Sequence, residues 1–168
     1  LIDISAGSGS FDPSELFAAN DYVVFGADNG TSGEEIWKSD GTLAGTFMVK
    51  DINTNSNGNG STQDSNPFGF TNMGSQVLFA AADDYGNYEP WITDGTEAGT
   101  RKIKEINSDW GSMSQFDGTD NSFAVAASNT RAYFSAADRV HGEELWVTDG
   151  TSLGTRMIKD INTTTNWS

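Results

Sequence analysis

Short stretches rich in apolar residues recur along this chain, and polar turns separate them at regular intervals. One stretch is Tyr22–Ala27, a second surrounds Trp37, and a third is Phe47–Ile52. Stretches rich in Val, Phe and Tyr that are bounded by turn residues predict β-strands. No window carries a sustained helical period of about 3.6 residues. The pattern therefore predicts an all-β protein with few helices or none.

The same arrangement occurs three times without a gap. The copies span Leu16–Ile52, Phe70–Ile106 and Val125–Ile161, and each is 37 residues long. Eleven positions are identical in all copies, and in the first copy they are Phe25, Ala27, Glu35, Trp37, Asp40, Gly41, Thr42, Gly45, Thr46, Lys50 and Ile52. A repeat of this kind cannot bury its apolar face alone, so neighbouring copies are expected to stack.

Each copy contains four predicted strands, which is the content of one β-propeller blade. In the first copy they are Leu16-Phe17, Tyr22–Ala27, the stretch around Trp37, and Phe47–Ile52. The Asp-Gly pair after the third strand predicts a hairpin, because it tolerates the positive φ that tight turns require. Tryptophan recurs at steps of 54 and 55 residues. We therefore expect propeller-type blades of four antiparallel strands.

The repeat boundaries divide the chain into four predicted parts. Residues 1–5 form an orphan fourth strand of a preceding blade, and the three blades are 6–53, 54–107 and 108–168, the last with a C-terminal tail. Three blades and one strand do not close a ring that typically needs four to eight blades. Because open blade faces and strand edges are unfavourable in water, we expect a longer chain or a homo-oligomer to complete the ring.

The string E-L-W-V-T-D-G-T-S-L-G-T at Glu144–Thr155, followed by Met157–Ile161, resembles a repeat of large secreted bacterial proteins. That repeat, sometimes labelled hyalin-like, reads roughly E-L-W-x-[ST]-D-G-T-x-x-G-T-x-x-[VL]-K-D-I, and the resemblance covers all three copies. It implies a propeller-like all-β fold in an extracellular or cell-surface protein, and it implies no activity. Pro90 stands where the pattern has leucine. Since proline cannot donate to an interior ladder, we expect a local bulge there.

The repeated tryptophans and aspartates are predicted to be structural. Tryptophans in the middle of a strand at a fixed register most often pack between blades. An aspartate that begins a D-G-T turn can cap that turn by accepting backbone N–H groups, although converging aspartates could also hold a ligand. These residues are Trp37, Trp91, Trp146, Asp40, Asp94 and Asp149.

The loops between the second and third strands carry candidate ligands for calcium. Hard cations prefer several oxygen ligands on a flexible loop, and a chain with a formal charge of −15 gains from neutralisation. No D-x-D-x-D-G spacing is present, so solvated acidic loops are the alternative. The candidate residues are Asp28, Asp83, Asp84 and Asp138.

Composition excludes several classes of function. With 24 acidic and nine basic residues, the chain lacks the positive surface from which nucleic-acid binding draws its affinity. The absence of cysteine excludes disulfides and thiolate metal sites, and one histidine excludes sites that need several imidazoles. No apolar run approaches the roughly 20 residues of a membrane span, so membrane insertion is not expected.

Two further tryptophans, Trp110 and Trp167, lie outside the repeat in polar loops. An aromatic side chain on such a loop can serve as a platform for a sugar ring or as an anchor for a protein partner. The alternative is that each covers the end of a blade. The leading hypothesis is a non-catalytic extracellular or cell-surface module for adhesion or assembly, which binds a glycan or protein partner through its inter-blade loops.

Two alternatives to this hypothesis belong to other classes. A glycosidase-like, carbohydrate-active enzyme needs two carboxylates across a cleft. The carboxylate pairs in the chain are Glu34–Glu35, Glu143–Glu144 and, between copies, Asp117 with Asp120. The other alternative is a purely structural unit of a surface filament or sheath, with no soluble ligand.

Overall fold

The computed structural model describes residues 11–56, 58, 60, 62–84, 86–108, 125–161 and 163. These residues form twelve β-strands and no helix, so the all-β prediction is confirmed. Accordingly, this part of the chain has no helix that could cross a membrane. The predicted orphan strand at residues 1–5 lies outside the described residues.

The strands form three antiparallel sheets, one in each repeat, and strands that follow one another in the chain are neighbours in each sheet. Sheet 1 consists of β1 Ser14–Ala19, β2 Tyr22–Asp28, β3 Glu34–Ser39 and β4 Phe47–Lys50. Sheet 2 consists of β5 Phe68–Met73, β6 Gln76–Ala82, β7 Tyr88–Thr93 and β8 Arg101–Lys102. Sheet 3 consists of β9 Val125–Ala127, β10 Ala132–Asp138, β11 Gly142–Thr148 and β12 Arg156–Lys159.

The fourth strands are shorter than the sequence predicts. In sheet 1 the strand ends at Lys50 and not at Ile52. The reason is that the backbone N–H groups of Ile52 and Asn53 donate to the side-chain carboxylate of Glu35 and not to the neighbouring strand. An apolar residue type is consistent with the burial of Ile52, but it does not distinguish a backbone partner from a side-chain partner.

The local bulge predicted at Pro90 is wrong. β6 and β7 pair in continuous register, with Pro90 opposite Ala80. Sheets 1 and 3 have a register shift between their third and fourth strands at the equivalent place. In sheet 2 the ladder between β7 and β8 ends at Trp91, since proline has no N–H to donate, while the Pro90 carbonyl accepts from Ile103 at 2.8 Å. Proline therefore shortens the ladder.

Each first strand of sheets 1 and 2 contains a bulge at the same position. The register shifts between Ser14 and Phe17 in β1, and at the equivalent place in β5. Within the bulge Glu15 has a φ of +53°, and its equivalent Gly69 has a φ of +68°. A left-handed backbone at this point is typical of a bulge whose first residue is glycine.

Every sheet has two distinct faces, because neighbouring residues of a strand point to opposite sides. We call the side with the repeated Phe, Ala and Trp the aromatic face, and the side with Val24 and Ile36 or their equivalents the aliphatic face. One buried cluster joins the aliphatic face of sheet 1 to the aromatic face of sheet 2, and it includes Val24, Ile36, Val49, Phe79, Ala81 and Trp91. A second joins sheet 2 to sheet 3 in the same way, and it includes Leu78, Ala80, Ile92, Phe134, Ala136 and Trp146.

Adjacent sheets also contact each other along their first strands. β1 lies beside β5, and β5 lies beside β9. Between β1 and β5, the rings of Phe17 and Phe70 stack with centroids 6.3 Å apart, and the Asn72 side-chain amide donates to the Ala18 carbonyl at 3.3 Å. The sheets are thus stacked face to face with their first strands side by side.

Candidate functional site

The D-G-T-x-x-G-T turns are closed by their own side chains. In sheet 2, Oδ1 of Asp94 accepts from the backbone N–H of Thr96 at 2.9 Å and from its hydroxyl at 2.6 Å. The Thr96 hydroxyl oxygen accepts from the N–H of Gly99, and the Thr100 hydroxyl donates to the Thr96 carbonyl. The turns at Asp40 and Asp149 have the same bonds. Each aspartate is therefore engaged within its own turn.

These bonds also set the acidity of the turn aspartates. The threonine hydroxyl that donates to each carboxylate is the main cause that lowers the pKa of Asp40, Asp94 and Asp149. A carboxylate held ionised by donors in its own turn is stabilised as an acceptor. The arrangement is typical of a cap and leaves the three carboxylates in separate turns.

The second glycine of each turn is required by the aspartate. A Cβ atom on Gly99 would lie 2.1 Å from Oδ1 of Asp94, and the distances in the other two turns are 2.1 and 2.0 Å. The carboxylate lies over the glycine Cα, so any larger residue displaces it. The identity of both Asp and Gly in all three copies therefore follows from a single contact.

The repeated glutamates are buried and bind the backbone. Glu35 accepts from Ile52 N–H at 2.8 Å, from Asn53 N–H at 3.3 Å, and from the Ser65 hydroxyl at 2.7 Å. Glu89 accepts from the backbone N–H groups of residues 106 and 107, and Glu144 accepts from that of residue 161. In each repeat the glutamate thus holds the chain where it leaves the fourth strand.

Burial raises the pKa of Glu35 to about 7, and the three hydrogen bonds that it accepts only partly oppose this effect. A carboxyl group with such a pKa could serve as a general acid or base if it faced a cleft. Glu35 is fully enclosed, and all its partners belong to the fold. The shift is therefore a property of a structural carboxylate.

The three repeated tryptophans are buried on the aromatic faces. Trp37, Trp91 and Trp146 are each only 5–6% exposed. The Trp146 indole N–H donates to the Ala136 carbonyl at 3.0 Å, on the neighbouring strand of its own sheet. None of the three presents an open ring face on which a ligand could stack.

The candidate calcium ligands are distributed among the three sheets. Asp28 accepts from the backbone N–H of Gly30 at 2.7 Å, and Asp83 forms an ion pair with Lys102 at 2.7 Å. Asp84 accepts from the Asn55 side-chain amide at 3.4 Å. Within the described ranges, no three His, Cys, Asp or Glu side chains lie together as a metal site would require.

Asp138 accepts hydrogen bonds from its own loop. Its carboxylate accepts from the backbone N–H groups of Val140 and His141, and it lies 2.8 Å from Nδ1 of His141. The hydrogen bond with Asp138 raises the pKa of His141. Burial acts to raise the pKa of Asp138, but the bonds with His141 outweigh it and lower that pKa. The pair closes the loop between β10 and β11.

The carboxylate pairs of the enzyme hypothesis are separated by the strand geometry. Glu34 and Glu35 are neighbours in β3 and point to opposite faces. Glu34 accepts from the Ser14 hydroxyl, while Glu35 is enclosed. Glu143 accepts from the Ser135 hydroxyl in the same way. Asp117 and Asp120 lie outside the described residues.

Basic residues at the end of sheet 2 form contacts that the pattern of apolar positions does not predict. Nη2 of Arg101 donates to the Gly150 carbonyl at 2.7 Å, and Nζ of Lys104 donates to the Thr155 carbonyl at 2.8 Å. Both acceptors belong to the D-G-T turn of sheet 3. The only sequence signal is that Lys104 occupies an identical column of the repeat.

The segment between sheets 1 and 2 is held by hydrogen bonds at Asn53 and Ser65, and the residues after Asn53 are exposed. Buried Asn53 donates from its side chain to the Asp64 carbonyl at 3.1 Å, and buried Ser65 donates from its N–H to the Glu34 carbonyl at 2.9 Å. Residues 54–56 are exposed. Trp110 and Trp167, the predicted ligand contacts, lie outside the described residues.

No protein-family model, no curated protein and no solved structure matches this chain.

Proposed function

We propose that this chain is a non-catalytic repeat module of the β-propeller type, which acts in adhesion or assembly outside the cell or at its surface. The segments between the sheets would bind a glycan or a protein partner. The resemblance to the secreted E-L-W-x-[ST]-D-G-T repeat supports the location, and a formal charge of −15 is typical of a well-solvated exported protein.

One observation carries the non-catalytic part of this proposal. The repeated carboxylates that could do chemistry are all engaged by the fold: the aspartates accept from their own turns and the glutamates accept from the backbone. Repeat scaffolds usually keep the frame constant and place recognition in the variable segments on one side. The segments between the sheets differ in length and composition, so recognition is assigned to them.

The arrangement of the sheets supports the propeller part of the proposal. In a propeller, blades pack face to face and their first strands line a shared axis. Here β1, β5 and β9 lie side by side, and two buried clusters each join an aliphatic face to the aromatic face of the next sheet. Further blades would close the ring, either within a longer chain or from other copies.

Substitution of Trp110 and Trp167 tests the recognition part. The double variant Trp110→Ala/Trp167→Ala should lose binding on a glycan array that the unchanged protein binds. The matched control Trp110→Phe/Trp167→Phe keeps an aromatic ring at both positions and should retain most of the signal. Both variants should melt at the temperature of the parent, which separates lost recognition from lost folding. Full binding by the alanine variant would refute the role of these side chains.

Calcium binding stays a prediction of the sequence. It rests on the acidic loops at Asp28, Asp83, Asp84 and Asp138 and on the high negative charge. A ligand that binds only the folded state raises the melting temperature. An equal melting temperature in calcium and in chelator would end this prediction.

A further inference from the structure

Sheet 3 exposes apolar residues whose equivalents are buried in the other two sheets. Tyr133, Leu145 and Ile158, on its aliphatic face, are 38%, 44% and 42% exposed. Their equivalents in sheet 1 are 0–3% exposed and are Val24, Ile36 and Val49. Those residues are buried because the aromatic face of sheet 2 covers them. Among the described residues, no further sheet covers these three side chains of sheet 3.

The fourth strand of sheet 3, β12, carries two exposed basic residues, Arg156 and Lys159. They are equivalent in the repeat to Arg101 and Lys104 of sheet 2, which donate to carbonyls of the following D-G-T turn. These two bases indicate which kind of surface would bind the aliphatic face of sheet 3. That surface needs an aromatic face to bury the apolar residues and a D-G-T turn whose carbonyls accept hydrogen bonds from the two bases.

Sheet 1 has both of these features. Its aromatic face carries Phe25 and Trp37, and its turn begins at Asp40. No earlier sheet covers that face among the described residues; instead, the ring of Phe11 packs edge-on against Phe25 and Trp37, with centroid distances of 5.8 and 5.2 Å. Phe11 thus occupies the place that the preceding sheet takes in sheets 2 and 3.

We propose that the aliphatic face of sheet 3 binds the aromatic face of sheet 1 in a second copy of this chain, with displacement of Phe11. Arg156 and Lys159 then donate to the carbonyls of Gly41 and Thr46 in that copy, as their equivalents do within the chain. The contact is head to tail, so it continues from copy to copy and closes into a ring or extends into a filament. The inference rests on the assembly role proposed above and makes no use of Trp110 or Trp167, so its failure would leave glycan recognition untouched.

Light scattering of the purified chain over a range of concentrations tests this contact. The unchanged protein should show a mass that rises above 18.0 kDa as concentration increases. Leu145→Asn should weaken association at least tenfold, because it places a polar group in the apolar interface. Leu153→Asn is the matched control, since Leu153 is 97% exposed in the sheet 3 turn and off this face. Circular dichroism should show all variants folded.

Two further variants test which face is bound. Arg156→Ala/Lys159→Ala should weaken association, and Phe11→Ala should strengthen it by removing the side chain that competes for the aromatic face. A mass of 18.0 kDa at every concentration would overturn the proposal. Equal effects of Leu145→Asn and Leu153→Asn would also overturn it. Association that Leu145→Asn abolishes but Phe11→Ala leaves unchanged would mean that sheet 3 binds another sheet 3, and it would overturn the pairing with sheet 1.

Discussion

The carboxylate of Glu35 accepts a hydrogen bond from the backbone N–H of Ile52, at 2.8 Å and across a separation of 17 residues. The equivalent pairs in sheets 2 and 3 have the same separation and distances of 3.1 Å. In each repeat the bond replaces a ladder contact at the end of the fourth strand. This explains why the glutamate is identical in all three copies.

Replacement of Glu35 by glutamine should change how stability depends on pH. The pKa of Glu35 is about 7 in the folded state, against 4.5 for an ordinary glutamate, so the folded state binds more protons between these values. The contribution of Glu35 to stability is therefore fully present below pH 4.5 and is lost as pH rises through 7. A shift of this size corresponds to about 3 kcal/mol. Relative to the parent, the unfolding free energy of Glu35→Gln should therefore rise by about 3 kcal/mol between acidic and mildly alkaline pH.

Urea unfolding at a series of pH values measures this difference. Glu97→Gln is the matched control, because it makes the same chemical change at an exposed position of a turn. The control should follow the parent at every pH. Parallel pH profiles for Glu35→Gln and the parent would show that the buried carboxyl does not titrate in this range.

The contact between Asp94 and Gly99 predicts strong coupling between two substitutions. Gly99→Ala puts a Cβ atom where the Asp94 carboxylate lies, so the aspartate must leave its bonds to Thr96. We expect a loss of about 1–3 kcal/mol of unfolding free energy. In an Asp94→Ala background there is no carboxylate to displace, and Gly99→Ala should cost little. Denaturant unfolding of the four proteins gives the coupling energy, and additive effects would contradict the contact.

Glu15 occupies a backbone conformation that suits glycine. Its φ of +53° lies in the left-handed region, and sheet 2 has Gly69 at the equivalent point of its bulge. Left-handed backbone costs an ordinary residue about 1–2 kcal/mol, while glycine loses about 0.5–1 kcal/mol more entropy on folding. Glu15→Gly should therefore stabilise the protein by about 0.5 kcal/mol. Glu15→Ala keeps the Cβ atom and should not raise the unfolding free energy. Urea unfolding measures both variants. Equal effects of Glu15→Gly and Glu15→Ala would show that the lost charge, and not the backbone conformation, causes the change in stability.

The hydrogen bond from Lys104 to Thr155 joins sheets 2 and 3, and it predicts different effects of substitution at two equivalent lysines. Nζ of Lys104 donates to the Thr155 carbonyl at 2.8 Å, while Lys159 is exposed at the end of sheet 3. Lys104→Met should lower the unfolding free energy by about 1–2 kcal/mol, because a partly buried carbonyl loses a charged donor. Lys159→Met, measured in dilute solution, should have almost no effect. Thermal melts compare the two variants, and equal losses of stability would contradict a stabilising role for the hydrogen bond between Lys104 and Thr155.

The sequence predicted the strands well where β-rich stretches are bounded by turn residues, as in β2 and β10, because such residues suit a packed sheet. It predicted the ends of the fourth strands poorly. There the partner of the Ile52 N–H is a glutamate side chain, and a pattern of apolar positions cannot reveal the identity of a hydrogen-bond acceptor. At Pro90 the residue type predicted a bulge, but the pairing with β6 is continuous and the ladder with β8 ends at Trp91.

For the candidate site, the repeat separated constant positions from variable ones. The capping role of Asp94 and the burial of Trp91 were both anticipated from position in the repeat. The contacts of Arg101 and Lys104 were not, because they join two sheets through residues 49 and 51 positions apart in the chain. Such contacts depend on how the sheets stack, and the pattern within one repeat carries no information on that.

Face-to-face stacking of the sheets underlies both the proposed function and the proposed contact between copies, and nuclear Overhauser effects between aromatic rings test this stacking most directly. Phe17 and Phe70 belong to different sheets, and their ring centroids are 6.3 Å apart. With selectively labelled phenylalanine, the account predicts cross-peaks between these two rings that disappear in Phe17→Leu. Cross-peaks within each sheet but none between Phe17 and Phe70 would contradict the stacking.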